Sequence, residues 1–123
     1  MKETVLLYKM ENTNKKAELI QLMNTLNIGV IIIEDKDLNQ QMGYLLHLDG
    51  YQKQNDSNES LKEEMMILFN FDDNKMNILL QILRNSEIPF IPLKAAITPT
   101  NVDWTFKYLH EHVKEEHEMM TKQ

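Results

Sequence analysis

The two halves of the chain superpose when the sequence is slid on itself by about 60 residues, and this repetition constrains the fold more than any single motif. At that shift Leu19 falls on Leu79, Gln21 on Gln81, Ile28 on Ile88, Ile31 on Ile91, Met42 on Val102, Tyr44 on Trp104 and Leu46 on Phe106. The run VLLYKM falls on MILFNF one residue further along. One supersecondary unit therefore occurs twice, and a fold has to place two copies of it.

Each copy reads as strand, helix, strand, helix. Val5 to Tyr8 is an unbroken apolar run, which suits a strand covered on both faces. Leu19, Leu22, Met23 and Leu26 then recur at i, i+3, i+4 and i+7, the stripe of an amphipathic helix. Gly29 precedes the β-branched run Val30 to Ile33, a second strand that also reads as doubly buried. Asp37 and Gln40 have the spacing of a capping arrangement ahead of a short helix carrying Leu38, Met42, Leu45 and Leu46 on one face.

The second copy follows the same order. Met65 to Phe69 gives a strand, and Met76, Leu79, Leu80 and Leu83 give a helical stripe. Phe90, Ile91 and Leu93 form the fourth strand, which Pro89 and Pro92 confine to a sheet edge because proline cannot donate to a ladder. Thr100 and Asp103 have the form of a capping box for a last helix carrying Val102, Phe106, Leu109 and Val113. Its end, beyond Lys114, is expected to fray.

A chain of 123 residues fits one domain. The repeats run from about 4–50 and 64–119, joined by a polar loop within 51–63 whose segment QKQNDSNES has no apolar residue and is expected to be exposed and mobile. Parallel strands joined by helices cross right-handed, and doubly buried strands need helices on both sides. The expected architecture is α/β: an internally duplicated βαβα repeat with a four-stranded, mainly parallel sheet in the order 2-1-3-4 and helices on both faces. The alternative is a ferredoxin-like α+β sandwich, in which two βαβ units meet antiparallel and the helices occupy one face.

Charge and composition exclude several functions. A net charge of −6 argues against nucleic acid as a partner, because phosphate binding needs a basic surface. The N-terminal apolar run is too short for a signal sequence or a membrane span, which places the protein in the cytoplasm. The absence of cysteine removes disulfides and thiol nucleophiles. Gly29, Gly43 and Gly50 are isolated, so there is no phosphate loop, and no serine lies in a nucleophile elbow. No cofactor and no catalytic residue is expected.

Two places remain for a site. In an open parallel sheet the ligand crevice lies at the carboxyl ends of the strands, here between the first and third, with Lys9, Glu11, Asn12, Asn70, Asp72 and Asp73 around it. Asp72 and Asp73 could hold a hard cation such as magnesium or make the protein a metal-assisted enzyme or phosphoacceptor; as plain structure, one of them caps the following helix. Lys94 ends an apolar strand beside Thr98, Thr100, Asn101 and Trp104, close to a helix start whose free N–H groups favour anions. That group reads as a binding site for a small anion or a protein partner, or as a solvated edge lysine beside a capping turn. His112 and Glu116 are one helical turn apart, but Lys114 stands where an HExxH motif needs its second histidine. A homodimer through a sheet edge or the charged last helix is a further expectation.

At Leu93, Lys94, Ala95, Thr98, Pro99, Thr100, Asn101 and Trp104, with MILFNF ahead of them, the second half resembles a bacterial family, the domain of unknown function 3783. The resemblance runs roughly from Met65 to His117 and implies no activity or substrate. The first half departs from the motif, with Glu34 for the lysine and Gln41 for the asparagine at the 60-residue shift. The expected function is that of a non-enzymatic binding or interaction module.

Overall fold

The computed structural model describes residues 2–121. In chain order these form β1 (Thr4–Tyr8), α1 (Thr13–Thr25), β2 (Gly29–Ile33), a 3₁₀ turn (Asp35–Asn39), α2 (Met42–Leu45), β3 (Met65–Phe69), α3 (Asp73–Asn85), β4 (Leu93–Ala96), a second 3₁₀ turn (Asn101–Asp103) and α4 (Phe106–Thr121). One sheet contains all four strands in the order β2-β1-β3-β4, as expected.

The strand directions correct the mainly parallel expectation. β1 pairs parallel with β2, and β3 with β4, but β1 and β3 run antiparallel with Leu6 opposite Ile67. The sheet is mixed, and its two βαβ units meet antiparallel as in the alternative reading. α2 is a single turn of four residues, ~6 Å long, and does not carry the chain back along the ~17 Å of a strand. β2 ends at Ile33 beside Tyr8, and β3 begins at Met65 beside the same Tyr8. The chain stays at that end of the sheet and enters β3 in the opposite sense.

Helices nevertheless cover both faces. Val5, Leu7, Met66 and Leu68 point to one side, where Leu19 and Met23 of α1 and Leu79 of α3 close over them. Leu6, Tyr8, Met65 and Ile67 point to the other, under Met42 and Leu45 of α2 and Phe106 and Leu109 of α4. From Val5 to Leu7 and from Met65 to Ile67 every residue is fully buried, each stabilising the fold by about 1.5–3 kcal/mol. These central strands carry the core. β2 contributes less: Ile33 is buried in the core but Ile32 is 37 % exposed, because an edge strand shares its outer side with solvent.

Three further boundaries differ from expectation. β4 starts at Leu93, so Pro89 and Pro92 lie before the strand and Phe90, read as a strand residue, is 73 % exposed. The edge position stands. α4 starts at Phe106, where the Thr105 hydroxyl accepts from the Tyr108 N–H, and Thr100 makes no side-chain cap. The helix expected from Asp37 divides into a 3₁₀ turn and the single turn of α2, with Asp37 accepting from the Glu34 N–H.

The polar segment expected to be mobile is a strap tied along its length. Gln40 donates to the Gln54 carbonyl and accepts from its N–H, Asn39 donates to Asn55, Ser57 N–H donates to Lys36, and Leu61 N–H donates to the Tyr8 hydroxyl.

Candidate functional site

The antiparallel meeting of β1 and β3 abolishes the crevice expected between their carboxyl ends, which lie at opposite ends of the sheet. Lys9 and Asn70, both at positive φ (66° and 67°), follow the two strands at opposite ends of the sheet. Lys9 and Glu11 therefore part from Asn70, Asp72 and Asp73. Asp72 accepts from the Lys75 N–H as the N-cap of α3, and Asp73 lies in the helix's first turn, both exposed. Capping is their observed role. Among the described residues no group of three or more histidines and carboxylates is placed to hold a metal ion. His112 pairs with Glu116 along α4 at 3.0 Å.

A crevice of about 240 Å³ does form at the carboxyl ends of the parallel pair β1 and β2, beside Tyr8, Lys9, Glu34 and Asp35. Tyr8 donates to Asp35 at 2.6 Å; burial, and then this carboxylate, push its hydroxyl up to about 12. The same hydrogen bond holds the Asp35 carboxyl below its ordinary range. Lys9 reaches Ser60 and stands 3.5 Å from Glu11 and 3.6 Å from Asp35. Its charge is answered within the protein, and the network fastens the strap to the strand ends.

The structure separates Lys94 from the turn with which the sequence groups it. Asn101 accepts from the Thr98 N–H at 2.8 Å and donates to the Ala96 carbonyl at 2.9 Å, while its own N–H donates to the Thr98 hydroxyl. These polar atoms are committed to the turn, Thr100 is exposed, and Trp104 packs edge-on against Tyr108 at 4.7 Å. Lys94 runs the other way. Its ammonium donates to the Ile91 carbonyl at 2.7 Å and lies 4.2 Å from the centroid of the Phe90 ring.

There Lys94 lines a cleft of about 340 Å³ between α3 and the segment leading into β4. The connection from α1 to β2 is only residues 26–28, whereas that from α3 to β4 is residues 86–92. The extra length builds the cleft wall from Ile88, Pro89 and Phe90, facing Leu80 and Leu83. Burial, and then the nearby Lys15, hold the Lys94 ammonium below its ordinary range. Lys15 itself is buried; it donates to the Phe90 carbonyl at 2.8 Å and pairs with Glu64. Lys94 and Arg84, the two cations on the cleft, have no carboxylate partner among the described residues.

Two buried polar residues escaped the sequence reading. Lys15 stands one turn before Leu19 and two before Met23, on the buried stripe of α1. His110 follows Phe106 by one turn and packs under Tyr8, with Nε2 against the Glu63 carbonyl at 3.0 Å and Nδ1 unpartnered. In both cases the position on an apolar stripe was the available signal.

Residues 64–120, from the start of β3 through most of α4, match the family described as Domain of unknown function (DUF3783). The second half of the chain is of that family. No curated protein and no solved structure matches the chain.

Proposed function

We propose that the protein is a non-enzymatic binding module and that the cleft beside Lys94 takes a small anion. The observation that carries this reading is a partly buried ammonium, desolvated on an apolar wall and satisfied only by a carbonyl and a ring face. A cation held in this way gains more from an incoming anion than one in open water, because the lower local dielectric strengthens the pairing. Thr98, Asn101 and Trp104 serve the site only by fixing the far end of β4.

We also read the chain as a duplication, with a register different from the uniform 60-residue shift. The central strands correspond at 61 residues, since Leu6 faces Ile67 and Thr4 faces Phe69. Beyond the longer connection the shift is 64: Glu34 N–H to Asp37 matches Thr98 N–H to Asn101, and Gln40 N–H to Asp37 matches Trp104 N–H to Asn101. In this register the counterpart of Lys94 is Val30, not Glu34. The site belongs to the second copy alone.

The test is an NMR titration of the full chain with acetate, octanoate and inorganic phosphate, repeated on Lys94→Ala. At least one anion should perturb the signals of Ile88 to Lys94 saturably, and Lys94→Ala should weaken it about tenfold, the ~1.4 kcal/mol of a charge-assisted contact. Perturbations that persist undiminished in a folded Lys94→Ala protein would remove the reading.

A further inference from the structure

The geometry points to a medium-chain aliphatic monocarboxylate as the ligand of this cleft, an inference that rests on the anion reading above. Three features of the wall select that chemistry. The first is its polar inventory. Besides the two cations, the polar side chain on the cleft is Ser86, whose hydroxyl already donates to the Leu83 carbonyl at 2.7 Å and accepts from the Ile88 N–H at 3.2 Å. A ligand rich in hydroxyl or amide groups would lose its hydration there without replacement, which costs affinity. The wall therefore accepts a ligand that is apolar apart from its charged head.

Charge is the second feature. Lys94 is the partly buried cation, Arg84 is exposed on the rim, and the nearby Lys15 is already paired with Glu64. A carboxylate brings one negative charge to meet the Lys94 ammonium and offers two oxygens to the Arg84 fork. A dianion would carry a second charge toward a protein whose net charge is already −6. The monoanion is the better complement.

The third is size and shape. About 340 Å³ is near the lower end of the roughly 300–1,000 Å³ of small-molecule sites. At ~30 Å³ for each water-sized group it holds about ten non-hydrogen atoms, the size of octanoate. Leu80, Leu83, Ile88 and Ile91 are aliphatic, and the one ring, Phe90, has the Lys94 ammonium over it. A flexible alkyl chain matches these walls, and each methylene removed from water adds to its affinity.

The experiment uses the full chain and titrates octanoate, octan-1-ol, acetate and inorganic phosphate by heteronuclear NMR, following Ile88, Phe90 and Lys94, with the Trp104 indole as a remote control. Octanoate should bind saturably at the cleft, at least tenfold more tightly than octanol or acetate, and leave the indole signal in place. Lys94→Met should cost octanoate about tenfold and octanol nothing, with Arg84→Gln as a second variant that keeps the test open if the first misfolds. Octanol binding as well as octanoate would overturn head-group recognition. Acetate or phosphate binding as tightly as octanoate would overturn the alkyl part while leaving the anion reading standing. Silence from all three anions would remove both.

Discussion

Gln41 and Thr105 face each other as an isolated antiparallel bridge on the helical layer that covers Leu6 and Ile67. Met42 N–H donates to Trp104 and Phe106 N–H donates to Gln40, at 2.8 and 2.9 Å, so each half of the chain holds the start of the other half's helix. Backbone pairing joins the halves in two places, through the β1–β3 ladder and through this bridge. Local changes at the joints should therefore register in the stability of the whole domain.

Tyr8 is the most connected of these positions. Its hydroxyl donates to Asp35 and accepts from the Leu61 N–H, so Tyr8→Phe leaves a backbone donor and a carboxylate short of a partner. A loss of about 1–3 kcal/mol is expected in urea unfolding. The 52–60 strap should become more sensitive to proteolysis under native conditions, because its anchor at Leu61 is released.

Asp35 supplies a pH dependence with a defined sign. Its folded carboxyl lies below the ordinary range, chiefly through the Tyr8 hydrogen bond, so its contribution is complete above ~3.9, the unfolded value, and is lost as pH falls through the folded one. Asp35→Asn keeps an oxygen for Tyr8 but removes the charge. The stability difference between the two proteins should be present at neutral pH, below about 1 kcal/mol because the side chain is 44 % exposed, and close under strongly acidic conditions. Chemical denaturation across acid pH measures it.

Buried Lys15 and half-buried Glu64 form an ion pair next to the Phe90 carbonyl. Lys15→Met should cost about 3 kcal/mol, since it strands a carboxylate and the Phe90 carbonyl. Adding Glu64→Leu should recover much of that loss, as apolar packing replaces a desolvated pair. A double-mutant cycle in urea reads the coupling, and simple additivity would show that the pair is not linked.

Lys94 gives the opposite expectation. Burial disfavours its charged form, so Lys94→Met in the absence of ligand should leave stability unchanged or raise it by up to about 1 kcal/mol at neutral pH. Because the folded value is lowered, the wild type should regain stability only as pH rises into the lysine range and the side chain loses its proton. Thermal melts of both proteins at neutral and alkaline pH make the comparison.

The order of strands, the edge position of β4 and the helical stripes were legible in the sequence because burial leaves a periodic trace. Strand direction was not, since Val5 to Tyr8 and Met65 to Phe69 look the same whether they run together or in opposition. Nor does the stripe Leu38 to Leu46 show that α2 is only four residues long. The grouping of Lys94 with Asn101 failed for a similar reason. They are close in sequence, but Lys94 turns back toward Ile91 while Asn101 closes the turn at Ala96. The cleft depends on three-dimensional closure of residues 86–92 against α3, which no spacing in the chain announces.

The antiparallel pairing of β1 with β3 has a consequence for the segment that carries the family match. Residues 64–120 contain β3 and β4 but not the strand that covers the other side of β3. Isolated, that segment would expose a row of unpaired backbone donors and acceptors along its most apolar strand, an edge that invites another strand. In this chain β1 fills it from within, in the antiparallel sense that a second identical copy would adopt about a twofold axis. Within this chain the first half thus closes the side of β3 that the family-matched segment would leave open.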